Sequence, residues 1–279
     1  MRLVQSLIII YLLTVPCATS SIAFEFSNTT PIIREQRHIV IDGVSELWRL
    51  EWMSPPKPVC GPDSDKLGSN DPEDWTNCPC NGFAFGEMGD LFLVRVRPGK
   101  VDERLRFKDY FLDGYFIVTP LPILRRWDTI DSDYDDKDKP GFAMLVRQRP
   151  LAQIMKFEDY DNDGKAAEFF IQTGSMTCGK RMGIVVGISR SNPHLHAFTT
   201  AKNPKEPLIL DDYQWKSLSR SKGRAVRDID WGCGYHGSDV EVELELKATK
   251  GKIYIKSRSY QCTESGGRGR FINNEPESL

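Results

Sequence analysis

Residues Phe157 to Gln172 read Phe-Glu-Asp-Tyr-Asp-Asn-Asp-Gly-Lys-Ala-Ala-Glu-Phe-Phe-Ile-Gln, an acidic loop that runs directly into an apolar strand. Three aspartates occupy alternate positions before Gly164, so their short side chains can converge on one point while the glycine makes the turn. Oxygen ligands in this arrangement are typical of calcium sites. The predicted metal residues are Asp159, Asp161, Asp163, Lys165 and Glu168. The alternative is a solvated acidic turn, because Asp, Asn and Gly form turns without any ion.

An earlier part of the chain repeats this pattern. Leu93–Pro98 matches Leu145–Pro150 at an offset of 52 residues, and Phe107–Gly114 matches Phe157–Gly164 at an offset of 50 residues. Both copies then continue into an apolar segment that predicts a strand, over 115–118 in the first copy and 169–171 in the second. A period near 50 residues with several short strands per unit is the size of a propeller blade. The sequence therefore predicts an all-β fold of propeller-like repeats, with a β-sandwich of two stacked sheets as the alternative.

The stretch Phe157 to Gln172 resembles the calcium loop of FG-GAP and VCBS repeats, the blades of integrin-type propellers, in which D-x-[DN]-x-D-G leads into a strand. The resemblance covers about 16 residues and implies a loop that ties a blade together without catalysis. One position departs from the family, whose last acid stands where this chain has Ala167, so Glu168 would have to reach back. An EF-hand fits less well, because its closing glutamate falls at Phe170 inside a strand pattern.

Two other acidic segments are weaker candidates for a metal. In the earlier copy Phe111 replaces the central acid, so Asp109 and Asp113 would hold calcium weakly or not at all. The segment 128–138 also carries acids at alternate positions, but Asp136 stands where a glycine would help the turn. A solvated flexible loop is favoured there, since blocks of like charge usually stay exposed.

The N-terminus predicts export from the cell. Arg2 precedes an apolar core from Leu7 to Val15, and Ala18-Thr19-Ser20 fits a signal-peptide cleavage site. This core is shorter than the roughly 20 residues that a membrane span needs, and no stable membrane insertion is expected. The predicted organisation is a signal peptide over 1–20, a single disulfide-stapled β domain over 21–262 and a disordered tail over 263–279.

Six cysteines remain after the leader is removed, and they are Cys60, Cys78, Cys80, Cys178, Cys233 and Cys262. An even number in an oxidising compartment predicts three disulfides, for which 15 pairings are possible. Cys78 and Cys80 are too close in sequence to pair with each other comfortably. Three cysteines lie before residue 100 and three after residue 170, so full pairing requires a bridge between the halves. A zinc site is the competing interpretation, but zinc clusters usually show paired C-x-x-C knuckles, which this chain does not have.

Strand patterns fill the second half around one short helix. Gly183–Ile188 is predicted to be a buried strand because it is rich in β-branched residues. Leu208–Leu210 is predicted to be another strand, and the aspartates after it can cap a short helix over about 211–220. Val240–Lys247 alternates apolar and charged residues, which predicts a half-exposed strand. Lys250-Gly251 then turns it into a hairpin.

The charge balance and the histidines bound the possible functions. Without the leader the chain has 36 basic and 39 acidic residues, a net charge of −3, which argues against a nucleic-acid partner. His194 and His196 would share one face of a strand, and with His236 they could bind a transition metal. The favoured function is a secreted, calcium-binding, non-catalytic β protein that binds a protein or a glycan. The alternative is a secreted metalloenzyme with a His194/His196/His236 centre.

Overall fold

Antiparallel strands dominate the computed structural model, which describes residues 30–59, 86–110, 122–127, 140–175 and 181–275. The strands of the first half are β1 (Ile32–Ile41), β2 (Val44–Trp52), β3 (Lys57–Val59), β4 (Gly86–Met88), β5 (Leu91–Val96), β6 (Glu103–Arg106) and β7 (Ile123–Arg125). Those of the second half are β8 (Glu168–Ser175), β9 (Arg181–Gly187), β10 (His196–Ala197), β11 (Leu210–Asp211), β12 (Val226–Trp231), β13 (Val240–Thr249), β14 (Lys252–Cys262) and β15 (Arg268–Glu275). The helices in these ranges are α1 (Phe142–Arg147) and α2 (Asp212–Arg220), with short 3-10 turns at Phe107–Tyr110 and Tyr235–Gly237. The all-β prediction is confirmed.

The described strands pair into four antiparallel sheets. Their orders are β1-β2-β5-β6, β3-β4-β7, β12-β13-β14-β15, and a sheet in which β9 has β8 on one edge and both β10 and β11 on the other. No closed ring of blades is seen in the part of the chain that the structure describes. Within that same part, no helix is both long and apolar enough to cross a membrane.

Strand β9 lies at the centre of the molecule and is buried on both faces. Ile184 and Val186 pack into one hydrophobic cluster, whereas Val185 packs into a second cluster. Successive side chains of a strand point to opposite faces, so β9 separates the two clusters. This position explains the apolar run between Gly183 and Ile188, and the predicted buried strand is confirmed there with bounds of 181–187.

The two clusters draw on different elements. The first combines β9 with β2, β5 and β8, and its largest buried side chains include Trp48, Leu50, Trp52, Phe107 and Phe169. The second combines β9 with α2, β13 and β14, and it includes Tyr160, Trp215, Leu218, Leu244, Leu246 and Ile253. The central sheet, which contains β8 to β11, is therefore covered on one side by the β1-β2-β5-β6 sheet. On its other side it is covered by α2 and by the C-terminal sheet, which contains β12 to β15.

Helix α2 begins where the sequence predicts. Asp211 is its N-cap, and the side chain of Asp211 accepts a hydrogen bond from the backbone N–H of Gln214 at 2.7 Å. The amide oxygen of Gln214 accepts the N–H of Asp211 in return, which completes a capping box. Trp215 and Leu218 are buried, and the indole of Trp215 donates to the carbonyl oxygen of Gly183 at 3.0 Å. The helix is thus anchored on β9.

Strand β13 departs from its prediction on one face. Leu244 and Leu246 are buried as expected, and Lys250-Gly251 forms the predicted hairpin turn into β14. However, Glu241 and Glu243 are only 6 % and 7 % exposed. Their carboxylates are covered by Arg258 of β14 and Arg268 of β15, so alternation alone did not predict the burial of this face.

The tail predicted to be disordered contains strand β15, so that prediction is wrong for residues 268–275. Arg268 pairs with Glu241, and it also donates to Glu243 at 2.9 Å. Its guanidinium lies 4.3 Å from the centre of the Tyr260 ring. Ion pairs and cation–π stacking stabilise this strand. A strand stabilised in this way need not show the alternation of apolar and polar residues from which strands are predicted. Residues 276–279 lie outside the described ranges.

The first of the two matched motifs does not form a structural repeat. Leu93–Pro98 belongs mostly to strand β5, whereas Leu145–Pro150 covers the end of helix α1 and the residues after it. Leu93 is fully buried, but Leu145 is largely exposed, so residues at matching positions of the two segments lie in different environments. In the second motif, the strand predicted over 115–118 after the earlier copy lies outside the described residues.

One of the three disulfides predicted among the six cysteines is seen, and the structure supplies its pairing, which the sequence left open. Cys233 and Cys262 are bonded, with their Cα atoms 5.6 Å apart, and they connect the turn after β12 to the end of β14. Cys60, Cys78, Cys80 and Cys178 lie outside the described residues, so their pairing stays a prediction.

Replacing Arg268 with alanine should destabilise the protein more than replacing Arg227. Arg268→Ala removes the guanidinium that pairs with the buried Glu241, and an unsatisfied buried group costs about 1–3 kcal/mol. Arg227→Ala leaves Glu245 with Arg258 at 3.1 Å and removes a solvated pair worth under about 1 kcal/mol. Urea unfolding of both variants measures the difference. Equal losses would show that the pairing of β15 contributes little.

Candidate metal centre

The acidic loop is closed at its base by a backbone bridge. The N–H of Glu158 donates to the carbonyl oxygen of Glu168 at 2.9 Å, and the N–H of Glu168 donates back at 3.4 Å. Two aromatic residues at the start of the loop enter different clusters. Phe157 contacts Trp48 edge to face in the first cluster, whereas Tyr160 contacts Trp215 in the same way in the second. The loop is therefore fixed at the junction of the two cores.

Hydrogen bonds to the aspartates shape the turn inside the loop. The carboxylate of Asp159 accepts the N–H groups of Asp163 at 3.0 Å and Gly164 at 2.9 Å. The carboxylate of Asp163 accepts the N–H of Lys165 at 2.8 Å. Gly164 has a φ of +90°, a backbone conformation that residues with a Cβ rarely adopt. The role predicted for this glycine is confirmed.

Three of the predicted residues converge. Asp159, Asp161 and Glu168 each offer one carboxylate oxygen, and these oxygens lie within 4.8 Å of one another. Among the described residues, this is the one group of at least three His, Cys, Asp or Glu side chains with such geometry. Glu168 therefore does reach back toward the aspartates, although Ala167 occupies the position at which related loops carry their acid.

Two oxygens of this acidic cluster (Asp159, Asp161 and Glu168) have no hydrogen-bond partner in the described structure. Asp161 and Glu168 are both 0 % exposed. One oxygen of Asp161 accepts the N–H of Asp163 at 3.1 Å, and one oxygen of Glu168 accepts the N–H of Tyr160 at 2.7 Å. Oδ2 of Asp161 and Oε1 of Glu168 are buried without a partner. A buried carboxylate in this condition needs a cation or a proton.

The pKa values of the two buried acids follow from this environment. Burial, followed by the charges of Asp163 and Asp159, raises the pKa of Asp161 from 3.8 to about 7. Burial, followed by the charge of Asp161, raises the pKa of Glu168 from 4.5 to about 9. The folded chain without a metal therefore holds protons in this cluster near neutral pH.

The other two predicted metal residues have different surroundings. Both carboxylate oxygens of Asp163 accept backbone N–H groups, one from Lys165 and one from Arg190. The ammonium of Lys165 lies 2.6 Å from the carboxylate of Asp42, in the turn between β1 and β2. An ammonium group has only hydrogen-bond donors, so the Lys165 side chain cannot ligate a metal.

Segments far away in sequence complete the support of the loop. The N–H of Gly251 donates to the carbonyl oxygen of Asp161, and the N–H of Lys250 donates to that of Asn162, both at 3.3 Å. The amide of Asn162 donates to the carbonyl oxygen of Leu218 at 3.0 Å, at the end of α2. No local sequence pattern predicts these contacts, because each depends on how the chain folds back on the loop.

The described histidines make other contacts. His194 is largely exposed, and its Nδ1 lies 3.1 Å from a carboxylate oxygen of Glu103. Nδ1 of His196 lies 2.8 Å from the carbonyl oxygen of His194, and the His196 ring packs on Phe198. Burial lowers the pKa of His196. The side chain of His236 is outside the described structure, so the His194/His196/His236 centre stays a prediction.

The weaker acidic candidates are only partly described. Asp109 is exposed in the 3-10 turn Phe107–Tyr110. Phe111, Asp113 and the acidic segment 128–138 lie outside the described residues.

Comparisons of this chain with models of protein families, with curated proteins and with solved structures found no match. The functional inference consequently depends on the geometry and electrostatics of the acidic cluster.

In the presence of a chelator, the free energy of unfolding should fall as the pH rises from about 4.5 to 7. Both acids are ionised in the unfolded chain above about pH 4.5, while the folded chain keeps protons on Asp161 and Glu168 because their pKa values are raised to about 7 and about 9. The unfolded state then binds fewer protons, so the slope is negative, up to about 1.4 kcal/mol per pH unit for each proton. Urea unfolding at several pH values measures it.

The control for this titration is Asp161→Asn, which removes one raised pKa and weakens the repulsion on Glu168. Subtracting its pH profile from that of the wild type cancels the contributions of the remaining titratable groups. A difference that is flat between pH 4.5 and 7 would contradict the protonation of the acidic cluster in the metal-free protein.

Proposed function

We propose that the loop from Asp159 to Glu168 binds calcium, and that the protein is a secreted, non-catalytic β protein that binds a protein or a glycan. The observation that carries the proposal is the pair of buried, unpartnered oxygens on Asp161 and Glu168. A cation between these side chains neutralises their charge and supplies the interaction that both oxygens lack.

A contrast within the same structure supports a metal. Several other buried glutamates face an arginine, for example Glu46 with Arg95 at 2.7 Å and Glu87 with Arg34 at 2.7 Å. Among the described residues, neither Asp161 nor Glu168 has an ion pair with a basic side chain. Guanidinium groups therefore compensate these buried glutamates, whereas the position between Asp161 and Glu168 suits a small cation.

Ligand chemistry favours calcium over other ions. The acidic cluster offers carboxylate oxygens and neither nitrogen nor sulfur, which suits a hard cation. Calcium accepts irregular sets of oxygens, whereas magnesium demands a near-ideal octahedron and retains several waters. The predicted leader and the Cys233–Cys262 bond fit a compartment in which calcium is plentiful.

The burial of the site favours a structural role for the ion. Asp161 and Glu168 are fully buried, so a metal held between them is shielded from a substrate. Exposed aromatic side chains, among them Tyr213 and Phe271, are the groups with which the surface can contact a partner. We therefore propose that the ion stabilises the fold and that exposed side chains on the surface bind the partner.

Asp161→Asn should abolish stabilisation by calcium. The substitution keeps the size of the side chain but removes a charged ligand at the centre of the cluster. At 100 times the dissociation constant, calcium should stabilise the wild type by about 2.7 kcal/mol and the variant by far less. Without calcium the variant should be at least as stable as the wild type, because a buried acid has been neutralised. Calorimetry with calcium and with a chelator measures both effects.

Asp239→Asn is the matched control, since it removes one negative charge from an exposed position. This variant should keep the calcium response of the wild type, and magnesium should stabilise the wild type and Asp239→Asn less than calcium does. If calcium produces neither binding heat nor a change in the melting of the wild type, the proposed function is wrong.

A further inference from the structure

The turn of the β13–β14 hairpin lies against the acidic cluster. Its two residues, Lys250 and Gly251, donate their N–H groups to consecutive carbonyl oxygens of the loop, those of Asn162 and Asp161. The carbonyl oxygen of Gly251 accepts the hydroxyl of Ser191 at 3.2 Å. Ser191 also shares a hydrogen bond of 2.9 Å with Ser189. The turn is therefore fixed to two segments that adjoin the cluster.

Gly251 also faces the unpartnered oxygen itself. A Cβ atom at this position would lie 3.3 Å from Oδ2 of Asp161 and 2.9 Å from Oγ of Ser191. Oδ2 of Asp161 is one of the two buried oxygens without a hydrogen bond. The glycine thus leaves room directly beside the atom that a cation would contact.

We propose that the Lys250-Gly251 turn is a wall of the cation site, with Gly251 as a positioning residue, and that a bound cation in turn fixes the hairpin. This inference rests on the proposed calcium site and extends it to a segment that supplies no ligand side chain. Since linked equilibria are reciprocal, a turn that positions Asp161 for calcium must itself be stabilised when calcium binds.

The consequences reach the C-terminal sheet. The strands joined by this turn contribute Leu246, Ala248 and Ile253 to the second hydrophobic cluster. On the other side, the side chain of Asn162 donates to the carbonyl oxygen of Leu218 and accepts the N–H of Gly223 at 3.1 Å. The loop therefore contacts both the hairpin and the end of α2, so occupancy of the cation site is coupled to the way in which the C-terminal sheet packs on β9.

The first test compares Gly251→Ala with Gly266→Ala by calcium titration calorimetry. Gly251 and Gly266 have almost the same φ, +78° and +79°, in the region that residues with a Cβ rarely adopt, so both substitutions meet the same φ restriction. A Cβ on Gly266 meets no atom within 4 Å. Gly251→Ala should weaken calcium binding about tenfold or more, a typical coupling magnitude, while Gly266→Ala should stay within about twofold of the wild type.

The second test uses the wild type alone and stands even if Gly251→Ala fails to fold. Hydrogen exchange is followed at single amides with calcium and with a chelator. Calcium should slow exchange of the Lys250 and Gly251 amides about tenfold or more, because opening of the turn then requires loss of the ion. The amide of Gly266, bonded to the carbonyl oxygen of Thr263 in the next turn, should exchange at the same rate in both conditions.

The outcomes separate this inference from the proposed function. Selective weakening in Gly251→Ala, or selective protection of the Lys250 and Gly251 amides in the wild type, supports the wall. Calcium binding to the wild type, with neither selective weakening in Gly251→Ala nor selective protection of these amides, overturns this inference and leaves the calcium site intact. Wild-type protein that binds no calcium overturns both.

Discussion

Two carboxylates buried with one free oxygen each are the constraint on which this structure depends. Asp161 and Glu168 lie in a loop that supplies each with a single backbone N–H, and no basic side chain compensates them among the described residues. Their mutual repulsion and their burial both act against ionisation. The fold therefore stores unfavourable electrostatic energy at this point unless a cation or protons relieve it.

The acidic loop lies where two hydrophobic clusters meet, so the electrostatic energy of its carboxylates acts on the packing of both. Strand β9 is buried on both faces and separates two hydrophobic clusters. The acidic loop enters both clusters, through Phe157 on one side and Tyr160 on the other. An ion bound in the loop would lie where the layers of the molecule meet, and its binding energy would add to the cohesion between them.

In the C-terminal sheet, buried carboxylates are neutralised by arginines. On β13 the glutamates alternate with apolar residues, and arginines from β12, β14 and β15 cover them in a ladder of cross-strand pairs. Guanidinium groups can satisfy carboxylates bidentately and can stack on aromatic rings, as Arg268 does over Tyr260. This arrangement orders a terminal strand that has little apolar pattern of its own.

The sequence by itself determined the local features of this protein. It predicted the all-β class, the capped helix after Asp211, the Lys250-Gly251 hairpin and the turn at Gly164, because each follows from residues close together in the chain. Only the tertiary structure decided which acids converge, that residues 268–275 form a strand, and that the first matched motif is a strand in one copy and a helix end in the other. Those outcomes depend on contacts between distant segments, such as Gly251 with Asp161 and Arg268 with Glu241. A local sequence pattern does not predict such contacts, because their energies arise only when the folded chain brings the partners together.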